Sequence, residues 1–208
     1  VGRGFSIGVK DMAITQTSVG PAATPEYAGA KKAERYTLAP AIPGNPTVGS
    51  GAGGGSPVAT LATLSSDYSG QVTVITGSAP PATQTIFTFN LGNAADSANY
   101  RANITPGNAA AAELSATAQP NTASIGLNSW VLQSGAAGLG ATQTYVWNYT
   151  LDDVTTSVTI TPTNIRSIDA VEAYGPVLDR VITRGSPDTV QVKMRPHGIT
   201  AEILIVGK

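Results

Sequence analysis

Cysteine is absent from the 208 residues, which excludes disulfides, thiolate nucleophiles and Cys-based zinc or iron–sulfur sites. Charge is scarce as well. Asp, Glu, Lys and Arg make up 12% of the chain, against about 25% in an ordinary soluble domain. A free monomer keeps itself soluble with charge, so a chain this poor in it suits life inside an assembly. Histidine occurs once, at His197. No apolar run approaches the roughly 18–20 residues that span a bilayer, so the sequence predicts no membrane partner. The net charge of −1 carries no signature of nucleic-acid binding. Small neutral residues fill the space instead, with 23 Gly and 14 Pro among them.

Charge and pattern divide the chain in three. Residues 1–56 carry Arg3, Lys10, Lys31, Lys32 and Arg35 against Asp11, Glu26 and Glu34, a net of +2. Prolines at 21, 25, 40, 43 and 46 punctuate this stretch too densely for a sheet interior. Only residues 30–38 (AKKAERYTL) suggest a helical turn or two, and residues 49–56 (GSGAGGGS) have the composition of a flexible linker. The whole segment reads as an extended N-terminal arm ending in a Gly-rich linker. An arm gains nothing from aromatics unless they anchor it, so Phe5, Tyr27 and Tyr36 are candidate anchors for partner pockets. Lys31, Lys32 and Arg35 are the matching electrostatic contacts.

Residues 57–152 change character. The runs 71–76 (QVTVIT), 86–91 (IFTFNL), 129–133 (SWVLQ) and 144–151 (TYVWNYTL) alternate with period two, the signature of half-buried strands. Turn signals at 77–81 (GSAPP) and 135–141 separate them, and residues 108–114 (NAAAAEL) are the one helical candidate. Residues 153–208 supply five further strand candidates between Gly-Pro, Gly-Ser-Pro and Pro-His-Gly turns. A segment that short makes a marginal core alone. It must pack on the middle segment, on the arm or on a neighbouring subunit. The predicted fold class is therefore all-β: an antiparallel β-sandwich, jelly-roll-like domain over 57–152, preceded by the arm (1–56) and followed by a small C-terminal β domain (153–208).

A search for chemistry yields no catalytic residue, no metal site and no cofactor. His197 lies between Pro196 and Gly198 with no nucleophile or acid marked beside it. The GxGxxG match at residues 49–54 follows no strand and opens no helix, as a dinucleotide site would require. Asp67, Asp96 and Glu113 show no spacing that marks a glycosidase pair. Tyr145, Trp147 and Tyr149 share one face of a strand, where aromatics usually pack inward. The functional alternative is glycan stacking, with Trp130 and Trp147 as the candidate platform.

The succession of residues 51–57 (GAGGGSP), 69–81 (SGQVTVITGSAPP), 104–114 (ITPGNAAAAEL) and 143–151 (QTYVWNYTL) resembles a β-sandwich domain of bacteriophage virion proteins. That domain recurs in tail-fibre tips and in head-fibre and capsid decoration proteins. The resemblance covers about half of the chain, and it departs from the fibre tips in having a long segment after the closing strand. It implies a structural protein on the exterior of the virion, with the major capsid protein or other virion proteins as partners and a homotrimer as the usual state. On this expectation the chain is not an enzyme but a capsid decoration or cement protein held by its arm. The alternative is a fibre tip that binds a host-surface receptor or glycan.

Overall fold

Alternating hydrophobicity predicts strands, and the computed structural model consists mostly of antiparallel ones. It describes residues 13–21, 31–39, 43–195 and 200–208, and it forms two units. One comprises Val1–Ala41 with Thr155–Lys208, the other Ile42–Val154. The first unit opens with β1 (Ala13–Pro21) and β2 (Lys32–Ala39), which pair antiparallel.

The chain then builds the whole of the second unit. Its elements are β3 (Thr47–Val48), a 3-10 turn (Ser50–Ala52), β4 (Val58–Leu61), β5 (Ser69–Ile75), β6 (Thr85–Asn90), β7 (Arg101–Pro106), α1 (Ala109–Ala118), β8 (Asn121–Ile125), β9 (Ser129–Gln133) and β10 (Thr144–Asp152). They form two four-stranded sheets, ordered β4-β5-β10-β7 and β3-β6-β9-β8. Along β10 the alternation places Tyr145, Trp147, Tyr149 and Leu151 inside and their neighbours outside. Val72 and Val74 of β5 join them. From the other sheet Phe87 and Phe89 of β6 and Trp130 and Leu132 of β9 enter the same core. Phe89 stacks on Trp130 at 5.2 Å and meets Tyr149 of the facing sheet at 4.8 Å. Such aromatic pairs add about 0.5–1.5 kcal/mol beyond the area they bury. Helix α1 begins where Asn108 accepts a hydrogen bond from Ala111 N at 3.0 Å, as an N-cap should. It buries Ala111, Leu114 and Ala118.

The return to the first unit supplies β11 (Thr156–Ile160), β12 (Ile168–Tyr174), β13 (Val177–Thr183), β14 (Thr189–Met194) and β15 (Ala201–Gly207). One sheet runs β1-β2-β15-β12 and the other β11-β14-β13. Tyr36 and Leu38 from β2, Ile203 and Ile205 from β15, and Val190 and Val192 from β14 share one core.

The predicted arm is thereby corrected in two places. Residues 32–39 are an inner strand, hydrogen-bonded to β1 on one side and to β15 on the other. The reason is period two. Glu34, Tyr36 and Leu38 all point inward and are buried. The apolar face of β15 lacks a neighbour without them. The Gly-rich stretch is no free linker either, because it lies inside the second unit. Gly49 N donates to Ile86 O at 2.9 Å, and Gly54 forms an isolated bridge with Ser78. A Cβ on Gly49 would sit 2.2 Å from Thr85 O, so glycine is there for close backbone approach. The domain boundaries move accordingly, from 57–152 to Ile42–Val154 and from 153–208 to a unit that includes β1 and β2.

Candidate functional site

Among the described residues three carboxylates are removed from solvent: Glu34, Asp67 and Asp188. Each serves backbone amides. Asp67, before β5, accepts from Gly92 N at 2.7 Å and Asn93 N at 2.8 Å, which clips that loop to the turn after β6. Glu34 accepts from Thr163 N at 3.0 Å and Asn164 N at 2.6 Å, and Tyr36 donates its hydroxyl to the same carboxylate. Asp188 accepts from Gly185 N and Ile168 N, both at 2.9 Å, and from Arg184 Nη1 at 2.6 Å. The Gly185 amide first, then the Ile168 amide and the Arg184 guanidinium, hold the Asp188 carboxyl down at about 2. Burial, reinforced by the Asp67 charge, pushes the Tyr100 hydroxyl up to about 12. Burial and the Glu34 carboxylate likewise raise that of Tyr36. Nothing in the sequence marked these carboxylates. Asp67 enters only as a carboxylate without glycosidase spacing, and Glu34 only as one of the arm's charges within the helical candidate 30–38.

The predicted partner contacts are scattered. Phe5 and Tyr27 lie outside the described residues, as does His197. Tyr36 is 4% exposed, so it cannot anchor in another protein's pocket; it is core. Arg35 reaches across the strand pair to Glu202 at 3.9 Å and Lys31 reaches Asp169 at 3.5 Å. Exposed pairs of this kind contribute less than about 1 kcal/mol. Lys32 is exposed. Trp130 and Trp147 are 0% and 1% exposed, so neither offers a face to a sugar. Alternation turned both toward the facing sheet.

Three features stand out on the surface of the described residues. A cleft of about 710 Å³ in the first unit brings Lys31, Arg166, Arg184 and Lys208 together with Asp169 and Asp188. The second lies on β12 and β13, where Tyr174, Leu178 and Val181 are 58%, 48% and 50% exposed. Strand β12 is the end strand of its sheet, and two of its carbonyls are occupied by guanidinium groups from beyond the turn. Arg180 Nε donates to Val171 O at 3.0 Å and Arg184 Nη1 to Ile168 O at 2.6 Å. Charged groups on a sheet end discourage another chain from adding a strand. The third feature is an uncharged depression of about 610 Å³ in the second unit, lined by Asn103, Ile104, Thr105, Gln119, Asn121 and Thr122 among others.

Among the described residues no group of three or more His, Asp or Glu is placed to hold a metal ion. No helix of the described residues is long and apolar enough to cross a membrane. No family model, curated protein or solved structure matches the chain.

Proposed function

We propose that this chain is a structural protein of a bacteriophage particle, a capsid decoration or cement subunit on the virion exterior that binds other virion proteins and does no chemistry. One observation carries the reading. The carboxylates most shielded from water, which an enzyme would turn toward a substrate, all accept hydrogen bonds from backbone amides, most of them distant in sequence. They fix shape. The exposed apolar side chains Tyr174, Leu178 and Val181 and the cationic cleft suit contact with other proteins. The architecture of the second unit, two four-stranded sheets around one aromatic core, suits the β-sandwich that the sequence resemblance implies. A homotrimer follows from the same resemblance.

Binding on this reading comes from folded surface rather than from a limb, since residues 32–39 lie within a sheet. Specific protein contacts bury about 1,600 Å² in all, and repeated copies on one particle add avidity. The test is cosedimentation of the purified chain with virions made from the genome that encodes it, with antibody labelling in negative stain. Labelled, regularly spaced sites on heads are the expected result. Absence of the chain from particles ends the proposal, and label confined to tail tips would move it to the second reading.

That second reading is a fibre tip that binds a host-surface glycan, and the uncharged depression favours it. Asn103, Gln119 and Asn121 offer amides and Thr105 and Thr122 hydroxyls beside an apolar Ile104, groups that can pair with sugar hydroxyls. Binding of the pure chain to host cells, lost in Gln119→Ala with Asn121→Ala, would support it. Cells that retain no protein would remove it.

A further inference from the structure

The cationic cleft of the first unit is built rather than accidental. Arg184 is held at two points, by Asp188 and by the Ile168 carbonyl, and both bonds use Nη1 at 2.6 Å. A guanidinium has five N–H donors in a rigid fork, so Nε and Nη2 keep theirs for another oxyanion. Asp188 is buried and occupied by Gly185 N, Ile168 N and Arg184, and so acts as the brace that orients the fork. The side chains of Arg166 and Lys208 line the same cleft and make no hydrogen bond or ion pair among the described residues. Lys31 completes the rim, paired with the exposed Asp169 at 3.5 Å. Counted by side chains, four cations face two carboxylates, one of them locked, on a chain whose net charge is −1.

We infer that this cleft is the docking site for a carboxylate-bearing segment of a neighbouring virion protein, a loop or terminus that presents two or more Asp or Glu side chains. The inference rests on the virion reading above. Arg and carboxylate match as forks, and such charge-assisted bonds are roughly twice as strong as neutral ones. Nucleic acid fits less well. It calls for a basic stripe that follows many phosphates, whereas these cations are confined to one cleft and interleaved with Asp169 and Asp188.

The test uses the full chain and a capped hexaglutamate peptide, with affinity measured by calorimetry at low and moderate salt. Expected is saturable binding that weakens as salt rises, and that weakens about tenfold, equivalent to about 1.4 kcal/mol, in the double variant Arg166→Gln/Lys208→Gln. Neither side chain carries an internal bond, so circular dichroism should show that variant folded. Arg184→Gln should weaken binding further. No peptide binding, or equal binding by the double variant, would overturn the inference. So would equal competition by inorganic phosphate or by a single-stranded oligonucleotide. Particle cosedimentation separates the two levels. Wild-type chain that binds virions together with a double variant that binds equally well sinks the cleft and leaves the virion reading standing. Wild-type chain that binds hexaglutamate but no virion sinks that reading instead.

Discussion

Asp67 shows how a single buried charge organises loops. Its two oxygens satisfy Gly92 N and Asn93 N, and without it the amide of the buried Asn93 would have no partner in a dry interior. An unsatisfied buried donor costs about 1–3 kcal/mol, so Asp67→Ala should lower stability by at least that much in urea titration. A midpoint unchanged from wild type would mean that water replaces the carboxylate at no cost. Asp188 makes a prediction about pH. Its carboxyl is held at about 2 in the folded chain against an ordinary 3.8, so the unfolded chain binds the proton first as acid is added. The stability Asp188 contributes is complete above pH about 4 and is lost as the pH falls toward 2. The melting temperature of Asp188→Ala should therefore lie below wild type at pH 6, and the gap should narrow between pH 4 and 2. A gap of constant size across that range would assign the effect to packing rather than to the charge.

At the scale of elements, β2 is the strand on which the first unit depends, since it joins β1 to β15. Leu38 is fully buried there, and Leu38→Ala should cost about 2–5 kcal/mol, as core truncations do. Removal of residues 1–41 should go further and expose Ile203 and Ile205 along a strand left unpaired on one side. Limited proteolysis with mass spectrometry should then find 155–208 cut and 42–154 intact; protection of both segments would contradict the observed pairing. This same strand shows where reading a sequence succeeds and fails. Strand β10 was legible because four bulky side chains alternate without interruption, and α1 because Asn108 announces a run of alanines. In β2 the inward positions are Glu34, Tyr36 and Leu38, and a glutamate among Lys, Arg and Ala mimics an exposed helix. Its partner β15 begins at Ala201, a separation that no local pattern reports. Residues 49–56 misled for another reason. Glycine is as abundant in a flexible linker as where two backbones must touch, and only the partner at Thr85 and Ser78 distinguishes them. The cationic cleft was legible only in part. Lys31 was singled out as a contact, but Arg166, Arg184 and Lys208 become its neighbours through pairings that long loops separate in sequence.

For the whole molecule, the order of construction matters more than length. The chain starts one unit, completes another within Ile42–Val154, and returns to finish the first. The two cores have no residue in common, so each buries its own apolar faces. Both tryptophans of the chain, Trp130 and Trp147, belong to the second unit. Tryptophan fluorescence therefore reports that unit alone, while far-ultraviolet circular dichroism reports both. Two units with separate cores need not unfold together. Gly49→Ala forces a Cβ to 2.2 Å from the Thr85 carbonyl oxygen, and overpacking of this kind typically costs about 1–3 kcal/mol. It should move the fluorescence transition to lower urea and leave a second, circular-dichroism transition where it was. Leu38→Ala should do the reverse, because its side chain lies in the core without tryptophan. A single transition that shifts equally in both signals for both variants would mean that the two units fold as one cooperative body, and the isolated segment 42–154 would then fail to fold by itself.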